Sequence, residues 1–194
     1  MKNDKIDKGL LYLSWFFLIL FLILFAGKVT ANEERYCMAQ NIYFESANQS
    51  FAGKLAVGHV VINRVRDEQF PNNICDVIYQ AKTKINWKGN EVPIRNQCQF
   101  SWYCDGKSDE PVDSKTWMTS LYIADLLLEV GYRDITEGSL YYHADYILPY
   151  WASELEHVVT IDNHLFYKLE KKCIDIKFML HESLMETQLM LMLI

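Results

Sequence analysis

Glu45 is the first side chain in this sequence whose position suits it to acid–base chemistry. From Tyr36 to Ser46 the apolar residues Cys37, Ala39, Ile42 and Tyr43 share one helical face, and a polar run over 46–50 ends the segment. Glu45 therefore falls at the C-terminal end of a predicted helix, where the negative end of the helix dipole disfavours a carboxylate. Its neighbours Tyr43 and Phe44 would exclude water from it. Both influences raise a carboxyl pKa. An acid that stays protonated near neutral pH can pass its proton to a departing oxygen, as glycosidic bond cleavage requires. An arbitrary glutamate at a helix end is ordinarily just solvated, so position alone does not assign the role.

Two other residue types invite chemistry. His59, His143, His157 and His164 are nitrogen ligands of the kind a zinc hydrolase uses, but their spacing matches no zinc motif such as His-Glu-x-x-His, and no metal or other cofactor is expected. The cysteines are Cys37, Cys75, Cys98, Cys104 and Cys173, with no C-x-x-C pair to suggest a zinc or dithiol redox site. In an exported chain such cysteines form disulfides. Four of them allow three pairings, which the sequence leaves open. Cys98–Cys104, closing a short loop, together with Cys37–Cys75 is the expected set, and small buried hydrophobes are the alternative.

Export is itself read from the leading residues. Lys2, Lys5 and Lys8 precede Leu10–Ala26, an uncharged apolar run at the boundary between a signal-peptide core and a spanning helix. Val29-Thr30-Ala31 fits a cleavage site that would free a chain beginning at Asn32; uncleaved, residues 10–26 would anchor the protein in the inner membrane. Residues 1–31 are thus read as leader or anchor, delivering the rest to the periplasm or cell envelope. The net charge of −6 gives no basic face for phosphates, so a nucleic-acid partner is not expected. With 14% aromatic residues the chain is rich in rings of the kind that bind sugars or peptides.

The elements that must position Glu45 follow from periodicity. Ser50 is placed to cap a second helix from Phe51 to about Arg66, with Val57, Val60, Val61 and Val65 on its core stripe; Asn63 and Arg64, at its end, read as structural. Residues 74–79 form a short buried helix or strand, and 81–112 read as a long functional loop. Asp113 or Ser114 caps a third helix through Val130, with Trp117, Leu121, Ala124 and Leu128 as its stripe and Gly131 as its C-cap. Segments 139–143 and 158–161 read as strands, the latter turning through Asp162-Asn163 into 164–167. The expected fold class is α+β, a helical core with a small antiparallel sheet. In the tail, 169–194, Ile174, Phe178, His181 and Met185 have the spacing of an appended amphipathic helix, to which no role is assigned.

Several runs, taken in order, resemble the SleB/CwlJ cell-wall hydrolase family. These are 37–47 (CMAQNIYFESA), 53–66 (GKLAVGHVVINRVR), 70–80 (FPNNICDVIYQ), Cys98-Gln-Phe-Ser-Trp102, Tyr141-Tyr-His-Ala144, Pro149-Tyr-Trp151 and 160–167 (TIDNHLFY). The resemblance covers about 36–168, and the catalytic domain is drawn as 32–168. It implies a lysozyme-like lytic architecture and cleavage of peptidoglycan glycan strands between MurNAc and GlcNAc, as a lytic transglycosylase with Glu45 as general acid and base. Gln99, Ser101, Trp102, Tyr142 and His143 are then candidates for binding the substrate, by amide and hydroxyl bonds to the sugars and by ring stacking. Two departures stand out: Glu45-Ser-Ala-Asn48 replaces the usual Glu-Ala-Arg-Gly, and Asp162 replaces the glycine of the last turn. A hydrolytic glycosidase needs a second carboxylate, for which Asp105 and Asp145 are the candidates, whereas a transglycosylase needs one. The rival readings are a zinc-dependent N-acetylmuramoyl-L-alanine amidase and a non-catalytic, envelope-anchored peptidoglycan-binding module.

Overall fold

The computed structural model describes residues 8–170, so Cys173 and most of the tail read as an amphipathic helix lie outside the described residues. Helix α1 spans Lys8–Ser46, α2 Phe51–Arg66, α3 Ile74–Ile78 and α4 Ser114–Asp125. Strands β1 (Ala81–Ile85) and β2 (Glu91–Cys98) form a hairpin, and β3 (Tyr141–Ala144), β4 (Glu156–Ile161) and β5 (His164–Lys168) form an antiparallel sheet in the order β3-β5-β4. The fold is α+β, as expected.

The helix starts follow capping chemistry. Ser50 accepts a hydrogen bond from Gly53 N, Asn73 from Asp76 N and Asp113 from Thr116 N, each satisfying an amide that has no partner inside its helix. Helix α4 ends in a single π turn over Leu126–Val130, closed by Gly131 in the left-handed region at φ 70°. The last turns of α1, α2 and α4 bury Met38, Ile42, Val61, Ile123 and Leu127 in one core, onto which Ile78 of α3 also packs. The two disulfides are Cys37–Cys75, tying α1 to α3, and Cys98–Cys104, tying the end of β2 to the 3-10 turn at Ser101–Cys104.

Two expectations are corrected. Residues 81–98 are an antiparallel hairpin rather than part of a loop, with Thr83 opposite Pro93 and Ile85 opposite Glu91. The ribbon is largely solvated, with most of β1 exposed, so it carries no alternating apolar pattern to betray it. Pro93 fits a two-stranded ribbon, where one edge needs no donor. The expected inner-membrane attachment through 10–26 is not supported: among the described residues no helix is long and apolar enough to cross a membrane. The described side chains of Tyr12–Leu22 in that segment are exposed.

Candidate active site

Glu45 stands in the last turn of α1, and the buried Lys54 of α2 holds that turn in place. The Lys54 ammonium donates to the carbonyls of Ser46 at 2.7 Å, Ala47 at 2.8 Å and Gln49 at 2.6 Å where α1 ends and the chain turns, Ser46 O also accepting from Gln49 N at 2.9 Å. Burial holds the Lys54 pKa below its ordinary value, against the pull of Asp162. Asp162 completes the joint. Its Oδ2 accepts from Ser50 N at 2.8 Å, joining the β4–β5 turn to the start of α2. A Cβ on Gly53 would lie 2.4 Å from that same oxygen, so a side-chain-free residue at 53 makes room for the Asp162 carboxylate.

The Glu45 carboxyl opens onto a cleft of about 510 Å³, within the usual size of a small-ligand site. Its Oε2 accepts a hydrogen bond from the Tyr142 hydroxyl at 2.9 Å. Burial raises the Glu45 pKa and outweighs the Tyr142 hydrogen bond and the Arg64 charge, which both lower it. The Tyr142 phenol is itself pushed well above its ordinary value, by burial and by the nearby Glu45 carboxylate. The direction for Glu45 and its main cause, desolvation, agree with the expectation; what differs is the helix end and one of the two rings. Lys54 covers the carbonyl end of α1, and Tyr43 is turned away, its hydroxyl accepting from the backbone of Val112 and Asp113. The rings lining the cleft beside Glu45 are instead Phe44, Trp102 and Tyr142.

Ser101, Trp102, Tyr142 and His143 share the cleft with Glu45, as the sequence suggested; Gln99 does not. Gln99 lines an adjoining depression of about 380 Å³ with Arg64, Tyr141 and Trp151. Trp102 is buried, its indole N–H donating to Asn41 Oδ1 at 3.0 Å and its ring stacked on Phe44 at 4.9 Å. His143 is buried too: Nδ1 donates to Ala144 O at 2.9 Å and Nε2 accepts from the Tyr167 hydroxyl at 2.9 Å. Both ring nitrogens are occupied internally. His164, read as structural, lines the cleft; burial lowers its pKa, and its Nδ1 is buried without a partner.

The opposite wall carries acids. Asp105 accepts from Lys107 N at 2.8 Å and pairs with its ammonium at 3.2 Å, contacts that hold its pKa below the usual carboxylate value. Asp109 also faces the cleft, and its pKa is raised by burial and by Asp105 and Glu110. Gln40 of α1 donates to Asp109 O at 2.7 Å, fixing this wall to the helix that carries Glu45. Asp145 is exposed and outside the cleft lining. Among the described residues, no three His, Cys, Asp or Glu side chains gather within reach of one metal ion.

The site lies in an α+β architecture, a helical layer against a small antiparallel sheet. Two solved structures share it. The catalytic domain of the Bacillus cereus SleB protein is 22% identical with a TM-score of 0.51, over 71% of this chain and 91% of that one. The catalytic domain of the germination-specific lytic transglycosylase SleB from Bacillus anthracis is 24% identical with a TM-score of 0.51, over 70% and 93%. The family model for cell wall hydrolases matches residues 48–167, and the chain belongs to that family. It is therefore an enzyme acting on peptidoglycan, at the cell envelope. No curated protein sequence matches it. The family match begins three residues beyond Glu45, so the case for that residue rests on its geometry.

Proposed function

We propose that this protein cleaves peptidoglycan glycan strands at the MurNAc–GlcNAc bond as a lytic transglycosylase, with Glu45 as general acid and then base. The observation that supports it is the Glu45 carboxyl in the cleft, whose pKa is raised by burial and whose Oε2 is held by Tyr142. In its protonated form Glu45 delivers a proton to the departing glycosidic oxygen; the resulting carboxylate then takes the proton from the muramic C6 hydroxyl as that oxygen attacks C1. One carboxylate suffices for both steps. Asp105 is engaged by Lys107, which favours this route over hydrolysis through a second carboxylate. The expected products from sacculi carry 1,6-anhydromuramic ends, identified by mass spectrometry. Reducing ends would replace this reading with hydrolysis, and cut stem peptides with intact glycan would replace it with amidase action.

Ser101 and the Phe44–Trp102 pair are the proposed sugar-facing wall, with residues 32–168 as the catalytic unit. Residues 1–31 are proposed to direct export, supported by the three lysines before the apolar run. N-terminal sequencing of the exported protein is expected to begin at Asn32 if the leader is removed and at Met1 if it is retained.

A further inference from the structure

Arg64 is a buried cation with no ion-pair partner among the described residues, Glu45 acting on it only at longer range. It is 5% exposed, and its Nε donates to Leu140 O at 2.8 Å. Its guanidinium lies against the rings of Phe70 and Phe100, each at 5.2 Å, and Tyr141 at 6.0 Å. Its Nη1 is buried with no hydrogen-bond partner. Among the described residues no carboxylate lies within ion-pair distance of it. A buried charge left in this condition is costly unless an anion completes it. Arg64 lines the depression of about 380 Å³ described above, together with Gln99, Tyr141, Tyr142, Tyr150 and Trp151. Tyr142 also lines the Glu45 cleft, so the two hollows adjoin.

We propose that Arg64 and Gln99, walled by Tyr141, Tyr150 and Trp151, form a carboxylate-binding subsite that holds a peptide-stem carboxylate of the peptidoglycan substrate. This rests on the reading of the chain as a glycan-cleaving enzyme. A planar carboxylate matches the donor fork of a guanidinium, the Gln99 amide adds a donor, and the rings cover the apolar parts of the stem. Occupancy also acts on the acid. The Arg64 charge pulls the Glu45 pKa down, so a carboxylate bound beside Arg64 offsets that pull and favours protonated Glu45. The other ionisable groups facing Glu45, namely Tyr142, Asp105, Lys107, Asp109, His143, Tyr146 and His164, are common to the empty and occupied states.

The test compares two preparations of the same sacculi, one with free stem carboxylates and one with those groups converted to methylamides by carbodiimide coupling. The full chain is expected to lose on the order of tenfold or more in kcat/KM on the amidated preparation, the scale of a hydrogen bond to a charged group. Its alkaline activity limit should also move to lower pH. Equal kcat/KM on both preparations overturns the proposal. Arg64→Gln is expected to abolish the discrimination. Because Arg64 packs among three rings, Gln99→Glu is the companion variant, placing a negative charge at the exposed rim, and it too is expected to shrink the ratio; an unchanged ratio counts against the subsite. Sedimentation of Glu45→Gln with each preparation separates the two readings. If the wild type cleaves neither preparation, glycan cleavage fails. Stronger retention of Glu45→Gln on free-carboxylate sacculi still supports the subsite, and equal retention overturns it.

Discussion

At the scale of single residues, Glu45 sets the strongest expectations. Glu45→Gln keeps the shape of the side chain and removes its proton transfer, so glycan release should fall by about 10²–10⁴-fold. The same change is expected to leave thermal stability at neutral pH equal or higher. The sign follows from linkage: a carboxyl with a raised folded pKa favours the folded state fully only below its unfolded pKa, and that contribution is lost as pH rises through the folded value. Melting temperatures of both proteins between pH 4 and 8 check this, with the gap widening toward neutral pH. Tyr142→Phe removes the hydrogen bond that stabilises the Glu45 carboxylate. The Glu45 pKa then moves further up, and the alkaline limb of the pH–rate profile should move to higher pH. A limb that moves down would place Tyr142 in some other role.

At the scale of elements, the Glu45 turn depends on a joint between α1, α2 and the β4–β5 turn. Lys54→Met removes the one side chain that ties together three carbonyls at the end of α1 and is expected to lower kcat with little change in KM, since Lys54 does not line the cleft. Gly53→Ala drives a methyl against Asp162 Oδ2, at an expected cost on the order of 1–3 kcal/mol. In Asp162→Gly that obstacle is gone and the backbone at φ 51° is relieved, so the Gly53→Ala cost should shrink in the double variant. Additive costs in the cycle, read by denaturant unfolding, would show that the two residues are uncoupled. The disulfides differ in reach. Cys37–Cys75 spans 38 residues and Cys98–Cys104 only 6, so chain entropy predicts losses of about 4 and about 2 kcal/mol for the respective Cys→Ser pairs.

At the scale of the whole molecule, cleft and core are built from the same segments. The helix that buries Met38 and Ile42 in the core also presents Phe44 and Glu45 to substrate, while the sheet contributes Tyr142 and His164 through β3 and β5. The disulfide at Cys98–Cys104 brackets Ser101 and Trp102, and Gln40 ties the acidic wall back to α1. Reduction of both bonds is therefore expected to loosen the cleft wall as well as the core. Activity should then be lost at lower denaturant concentration in the reduced protein than in the oxidised one, as a side-by-side titration would show.

Helices α1 (in its last turns), α2 and α4, the caps at Ser50 and Asp113 and the three-stranded sheet were legible in the sequence, because each rests on local periodicity or on a cap adjacent in the chain. Motif order was enough to indicate the family, and it nominated Glu45, which lies outside the matched residues 48–167. Other features lay beyond it. The β1–β2 hairpin carries no apolar alternation because both its faces meet water. Lys54 on the carbonyls of α1, Asp162 on the amide of Ser50, Tyr142 on Glu45 and the separation of Gln99 from the cleft depend on where distant segments meet. The same holds for Trp102 and Tyr142, which join Phe44 beside the Glu45 carboxyl. Sequence spacing encodes periodicity and caps, whereas desolvation and long-range hydrogen bonds exist only once the helices and the sheet have packed.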